Sequence, residues 1–144
     1  MTYSLLSESM PDRATIPGGE SFAPWPTLLV VDGDLEMLST VVRYFEKRGF
    51  HVAAASSLAE AKDFCHRRRN WTLAIADYHL PDGTGWELCC WIQEQPGWET
   101  MPFLLTSANL NCATLGTTAD YLAKPFRLEA LEQRVRALLH RKSA

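Results

Sequence analysis

Short apolar runs alternate with amphipathic helical patterns from residue 27 almost to the end of this chain. This alternation predicts βαβ units, which build a parallel sheet with helices on both faces. Polar residues stand at the C-terminal ends of four runs, namely Asp32 with Asp34, Asp77, Ser107 and Lys124. Because ligands bind at the carboxyl edge of an open parallel sheet, we expect these side chains to gather there. Together, carboxylates, a hydroxyl and a lysine suit phosphoryl chemistry around a divalent cation.

Periodicity and turn residues place the individual elements. Apolar runs predict strands over 27–31, 50–55, 71–76, 102–106 and 121–124, and a helical period predicts helices over 35–48, 57–69, 86–95 and 128–140. Ser57 and Glu60 have the spacing of a capping box. Turn residues over 81–85 predict a loop. These elements form one α/β domain over 27–141, which follows a flexible tail over 1–26 that proline and glycine interrupt.

Composition narrows the class of protein. The 144 residues suffice for one domain, and 47% hydrophobic with 22% charged residues is typical of a globular protein. A net charge of −3 argues against a nucleic-acid surface. We find no segment that could span a membrane and no secretion signal, so we expect a cytoplasmic protein. The four cysteines have no metal-site spacing and are expected to be reduced and structural.

Four segments carry a resemblance to the receiver domain of two-component response regulators. They read V-V-D-G-D, I-A-D-Y-H-L-P-D-G-T-G, L-L-T-S-A and D-Y-L-A-K-P-F, and the resemblance covers about residues 27–140. It implies a flavodoxin-like fold, a doubly wound five-stranded parallel sheet with five helices. It also implies a single-domain response regulator that accepts a phosphoryl group on Asp77 from a histidine kinase or phosphotransfer protein. The domain would then signal through protein–protein contacts with a downstream protein target.

The resemblance assigns further roles by position. Lys124 and Ser107 would contact phosphoryl oxygens, and Lys124–Pro125 would be a cis peptide. Tyr121 matches the aromatic switch position of the family. The cofactor would be Mg²⁺, and its ligands would be the carboxylates of Asp32 and Asp77 and the backbone carbonyl of His79.

Two departures from the family pattern stand out. Gly33 occupies the position of an acid that normally ligates Mg²⁺, so we expect weakened Mg²⁺ binding; Asp34, one residue later, is a further candidate ligand. The second departure is the segment 109–120, whose twelve residues predict a short or irregular fourth helix. An altered helix there leaves the mode of any homodimer open.

Two alternatives compete with a phosphorylated receiver. A degenerate pseudo-receiver would bind partners without phosphorylation, as Gly33 and the short fourth helix favour. A phosphatase of the haloacid-dehalogenase type would use Asp32 as nucleophile and Asp34 as general acid, but it leaves Asp77 unexplained. We therefore expect a signalling module rather than an enzyme.

Overall fold

The computed structural model describes residues 26–108 and 119–143. Seven strands occur in this part of the chain: β1 Thr27–Val31, β2 His51–Ala55, β3 Leu73–Asp77, β4 His79–Leu80, β5 Gly83–Thr84, β6 Phe103–Ser107 and β7 Ala119–Ala123. Its four helices are α1 Leu35–Glu46, α2 Leu58–Arg67, α3 Gly85–Gln93 and α4 Leu128–Ser143. Five strands form a parallel sheet in the order β2-β1-β3-β6-β7.

Strands β1, β2, β3 and β6 are largely buried on both faces, which explains their mainly apolar sequences, whereas the edge strand β7 is half-buried. Alternate residues of β1 serve opposite faces: Leu29 and Val31 join one core cluster, while Leu28 and Val30 join the other. Helices α2 and α3 cover the first cluster, and α1 and α4 cover the second. The predicted doubly wound α/β fold is therefore confirmed.

Helix starts are set by capping side chains. Ser57 caps α2 by accepting a hydrogen bond from the Glu60 amide at 3.1 Å. The predicted capping box is not completed, because the Glu60 carboxylate turns to the Ser56 amide at 2.7 Å. A complete capping box instead forms at α3, between Thr84 and Glu87.

Several element bounds differ from the predicted ones. Strands β3 and β6 end one residue later, because Asp77 pairs with Thr106 and Ser107 pairs with Ala123. Within the predicted loop over 81–85, Gly83–Thr84 forms a short strand that pairs antiparallel with His79–Leu80, just before the loop. Strand β7 begins at Ala119, so residues 119 and 120 are strand rather than a connection to it. Helices α1 and α2 end about two residues early, before the glycine and asparagine that follow them.

Two predictions lie mostly outside the described residues. These are the flexible tail over 1–26, of which only residue 26 is described, and the short fourth helix within 109–120. In residues 26–108 and 119–143, no helix has the length and hydropathy to cross a bilayer.

Candidate functional site

The carboxyl edge of the sheet brings the predicted polar residues onto neighbouring strands. Asp32 follows β1 directly, and Asp77 is the last residue of β3, which pairs with β1. Ser107 is the last residue of β6 and pairs with Ala123 of β7. Since β6 also pairs with β3, the strands β1, β3, β6 and β7 are adjacent, and their carboxyl ends lie at the same edge of the sheet.

Lys124 joins the two carboxylates at this edge. Its Nζ donates to Asp32 Oδ2 at 3.0 Å and to Asp77 Oδ2 at 3.1 Å. All three side chains are largely buried, with 18% of Lys124, 7% of Asp32 and 16% of Asp77 exposed. Two negative charges against one positive leave the cluster with a net charge of −1. Poorly solvated charges of this kind interact strongly, and the surplus negative charge favours a cation.

The backbone holds Lys124 in place. Its amide donates to the Ser107 carbonyl at 2.8 Å, and its peptide bond to Pro125 is cis. The Ser107 residue is completely buried. Ser107 therefore lies between the strand that carries Asp77 and the residue that carries the ammonium.

Asp32 is fixed from both sides. Its amide donates to the Ala55 carbonyl at 3.1 Å, and its Oδ1 accepts the Asp34 amide at 2.9 Å. Burial raises the pKa of the Asp32 carboxyl, and the hydrogen bonds from Asp34 and Lys124 offset this only in part. Burial also opposes the Lys124 ammonium, but the carboxylates of Asp32 and Asp77 outweigh it and raise the pKa of Lys124.

Asp34 does not join this cluster. It is exposed, and its Oδ1 accepts the amides of Glu36 at 3.0 Å and Met37 at 3.3 Å. These bonds make it the N-cap of α1. Ligation of a metal by its Oδ1 would compete with that cap.

The backbone of His79 lies beside Asp77. Its amide approaches Asp77 Oδ1 at 3.4 Å, and its exposed ring stands edge-on to Tyr78, with the ring centroids 5.1 Å apart. The backbone of His79 is thus near Asp77, its ring lies at the surface, and the role of its carbonyl as a metal ligand stays a prediction.

Tyr121 lies on β7, opposite Leu105 of β6. It is half-buried and packs against the core cluster on the α2 and α3 side of the sheet. Arg134 of α4 donates to its backbone carbonyl. Tyr121 thus links the sheet edge to the last helix.

Gly33 leaves the predicted metal site one carboxylate short of the family pattern. A Cβ atom at this exposed position would lie 3.2 Å from Cδ of Pro81, so an aspartate would fit after a shift of a few tenths of an ångström. Within residues 26–108 and 119–143, no cluster of three or more acidic, histidine or cysteine side chains could hold a metal ion. Two carboxylates do converge on a single ammonium, and oxygen is the donor that Mg²⁺ prefers. Asp32 and Asp77 would therefore offer Mg²⁺ two side-chain oxygen ligands, one fewer than with an acid at position 33.

Glycine at position 85 is a requirement that the sequence reasoning missed. A Cβ there would lie 2.4 Å from the Asp77 carbonyl oxygen and 2.8 Å from Leu105 Cδ2. The first residue of α3 thus packs directly against the end of β3. Its only signal in the sequence was the second glycine of the Gly-Thr-Gly segment.

Comparison with known proteins agrees with this geometry. Residues 28–136 match the response regulator receiver domain family. The chain is 34% identical over 122 residues to the transcriptional regulatory protein GltR of Pseudomonas aeruginosa, covering 80% of this chain and 49% of that protein. It is 35% identical over 122 residues to the phosphate regulon transcriptional regulatory protein PhoB of Rhizobium meliloti, covering 81% and 53%. The chain thus spans about half the length of these two curated relatives.

A solved structure shows the same architecture. The non-phosphorylated HemR receiver domain from Leptospira biflexa superposes with a TM-score of 0.68 at 27% identity, covering 79% of this chain and 94% of that one. Sequence match, strand order and site geometry agree, and the chain belongs to the family of response regulator receiver domains.

Proposed function

We propose that this receiver accepts a phosphoryl group on Asp77 from the phosphohistidine of a histidine kinase or phosphotransfer protein. The observation that carries the proposal is the Lys124 ammonium, which lies within 3.1 Å of both Asp32 and Asp77. Phosphoryl transfer depends mainly on positioning and on neutralising the phosphoryl oxygens. A buried ammonium beside the acceptor supplies part of both.

The transfer balances as a displacement at phosphorus. A carboxylate oxygen of Asp77 forms the new P–O bond, and the P–N bond of the donor phosphohistidine breaks. The electron pair of that bond stays on the donor imidazole. Lys124 keeps its proton, and its ammonium pairs with a phosphoryl oxygen as a point charge.

Receiver domains generally bind Mg²⁺ for phosphorylation. In this chain we propose Asp32, Asp77 and the His79 carbonyl as its ligands, with an affinity that Gly33 weakens. When bound, Mg²⁺ would supply charge neutralisation on the phosphoryl oxygens. The chain's own contribution is to hold the acceptor carboxylate and the ammonium in a poorly hydrated cluster.

We further propose that the phosphoryl group is read out through Ser107 and Tyr121. Ser107 is buried at the end of the strand next to Asp77, and Tyr121 belongs to the strand beyond it. A new charge of about −1.5 to −2 at Asp77 would bias the surface near Tyr121 toward a downstream protein. The kinase, that target, a homodimer, a single-domain organisation and a cytoplasmic location all stay predictions.

Labelling with a small phosphodonor tests the acceptor. Purified protein incubated with acetyl phosphate and Mg²⁺ should gain the mass of one phosphoryl group, and hydroxylamine should remove it, as expected of an acyl phosphate. Asp77→Asn should stay unlabelled. The matched control is Asp63→Asn, which removes an exposed carboxylate paired with Arg67 at 3.4 Å and should leave labelling unchanged.

The same experiment decides the second candidate, a pseudo-receiver that binds partners without phosphorylation. Only Gly33 favours it among the described residues. Absence of label on the wild type, or equal label on Asp77→Asn, would overturn our proposal and leave the pseudo-receiver standing.

We also propose that the chain does not turn over a separate substrate. The phosphatase alternative requires Asp34 as a general acid, yet its carboxylate already accepts two amides of α1. Phosphatase activity that is lost in Asp32→Asn and kept in Asp77→Asn would contradict this.

A further inference from the structure

Asp82 connects the loop after the acceptor strand to the start of a helix that lies earlier in the chain. Its Oδ1 accepts the Leu58 amide at 2.8 Å, and its Oδ2 accepts the Ala59 amide at 3.0 Å. These are the first two amides of α2, which have no partner inside the helix. The loop therefore supplies a cap to a helix 23 to 24 residues away.

The cap of α2 is divided between a local and a distant side chain. Ser57 Oγ accepts only the Glu60 amide, at 3.1 Å. Hydrogen bonds from the two remaining amides lower the pKa of Asp82, so its carboxylate is charged at neutral pH. A charged acceptor at a helix N-terminus is favoured both by these bonds and by the helix dipole.

The same loop also contacts the start of α3, the neighbouring strand β6 and the start of α2. The Gly85 amide donates to the Tyr78 carbonyl at 2.8 Å, and the Tyr78 amide donates to Thr106 at 2.8 Å. A Cβ at Gly83 would lie 2.7 Å from Cδ2 of Leu58, so the loop backbone already touches the first residue of α2. Asp82 closes this contact with hydrogen bonds.

We propose that Asp82 is a positioning residue, which holds the loop over residues 78–83 against α2 and thereby places the backbone of His79 beside Asp77. The part of the proposal that concerns Mg²⁺ rests on the proposed function, because it takes the His79 carbonyl as a ligand. The part that concerns the loop rests only on the contacts of Asp82. The two parts are measured separately.

The test compares two halves of one cap. Asp82→Ala removes the loop's share, and Ser57→Ala removes the local share while leaving the loop untouched. Asp82→Asn keeps a neutral acceptor and should give an intermediate result. For each variant, NMR measures hydrogen exchange of the Gly85 amide without metal, and then amide shifts during a titration with MgCl₂.

Asp82→Ala should speed exchange of the Gly85 amide and weaken Mg²⁺ binding about tenfold or more, the usual effect of losing a group that orients a ligand. Ser57→Ala should change neither quantity, although both variants expose amides of α2. Gly85 exchange that stays at the wild-type rate in Asp82→Ala, or rises equally in Ser57→Ala, would overturn the positioning role. If the wild type neither binds Mg²⁺ nor takes up label, the proposed function fails, and the exchange rates alone still decide the role of Asp82.

Discussion

Lys124→Met tests the charge cluster directly. The substitution keeps most of the side-chain volume but removes the ammonium that Asp32 and Asp77 share at 3.0 and 3.1 Å. Removing one partner of a buried ion pair typically costs about 3–5 kcal/mol, because the remaining charge is left uncompensated. Since 18% of the lysine side chain is exposed, we expect the lower end, a loss of about 3 kcal/mol in the free energy of unfolding near neutral pH.

The deficit should depend on pH in a defined direction. Burial already raises the pKa of Asp32, and loss of the Lys124 contacts should raise it further. An acid whose pKa is higher in the folded state than in the unfolded state favours folding as the pH falls. Urea unfolding should therefore show a smaller deficit at about pH 5 than at about pH 7.5.

Two further variants make the result decisive. Lys62→Met removes an ammonium 5.3 Å from the Trp91 ring centroid and should cost less than about 1 kcal/mol. In an Asp32→Asn background, Lys124→Met should cost less, because one of the two uncompensated charges is already gone. Equal cost in both backgrounds, with no change between the two pH values, would refute the shared-ammonium reasoning.

Three other predictions concern glycines and cysteines. Gly85→Ala should lower stability by about 1–3 kcal/mol in urea unfolding, because its Cβ would meet the Asp77 carbonyl; unchanged stability would contradict that close approach. Gly33→Asp should tighten Mg²⁺ binding several-fold in an NMR titration, and an unchanged affinity would show that this position does not control the metal. Burial raises the pKa of Cys65 to about 12, so iodoacetamide near pH 8 should label half-buried Cys90 well before Cys65 in folded protein, as peptide mass mapping would show.

Lys124 should also determine how the free energy of unfolding changes at high pH. Its pKa is raised above the ordinary 10.5 in the folded state. A base with a raised pKa contributes stability that is complete below its ordinary pKa and is lost as the pH rises through the folded value. The Lys124→Met variant should therefore lose less stability than the wild type in strongly alkaline solution.

The fold was predictable because a buried parallel strand needs a continuous apolar run. Leu28 to Val31 form such a run, and they are buried on alternate faces of the sheet. The core face of α1 was predictable for a similar reason. Its apolar residues recur at helical spacing within 35–48, and the four buried ones are Leu38, Val41, Val42 and Phe45. The approach of Lys124 to Asp77 followed from the edge rule for parallel strands.

Longer-range polar contacts were not predictable in this way. Asp82 looked like an ordinary turn residue, because its partners lie 23 and 24 residues earlier and no local pattern joins them. Asp34 is the reverse case. An aspartate directly before a helix is a strong N-cap signal, and Asp34 caps α1 instead of joining Asp32 and Asp77 as a candidate metal ligand.

The glycine at position 33, where the family usually has an acid, changes the net charge of the site. A third carboxylate at position 33 would bring the net charge of the cluster from −1 to −2, and mutual repulsion would then raise the need for a cation. With Gly33, a single ammonium already offsets half of the negative charge that Asp32 and Asp77 carry. On our proposal, the same glycine weakens the attraction for Mg²⁺ and makes the metal-free site easier to maintain. Added Mg²⁺ should consequently stabilise Gly33→Asp against urea more than it stabilises the wild type. Equal stabilisation of the two proteins would show that the charge at position 33 does not control the affinity for Mg²⁺.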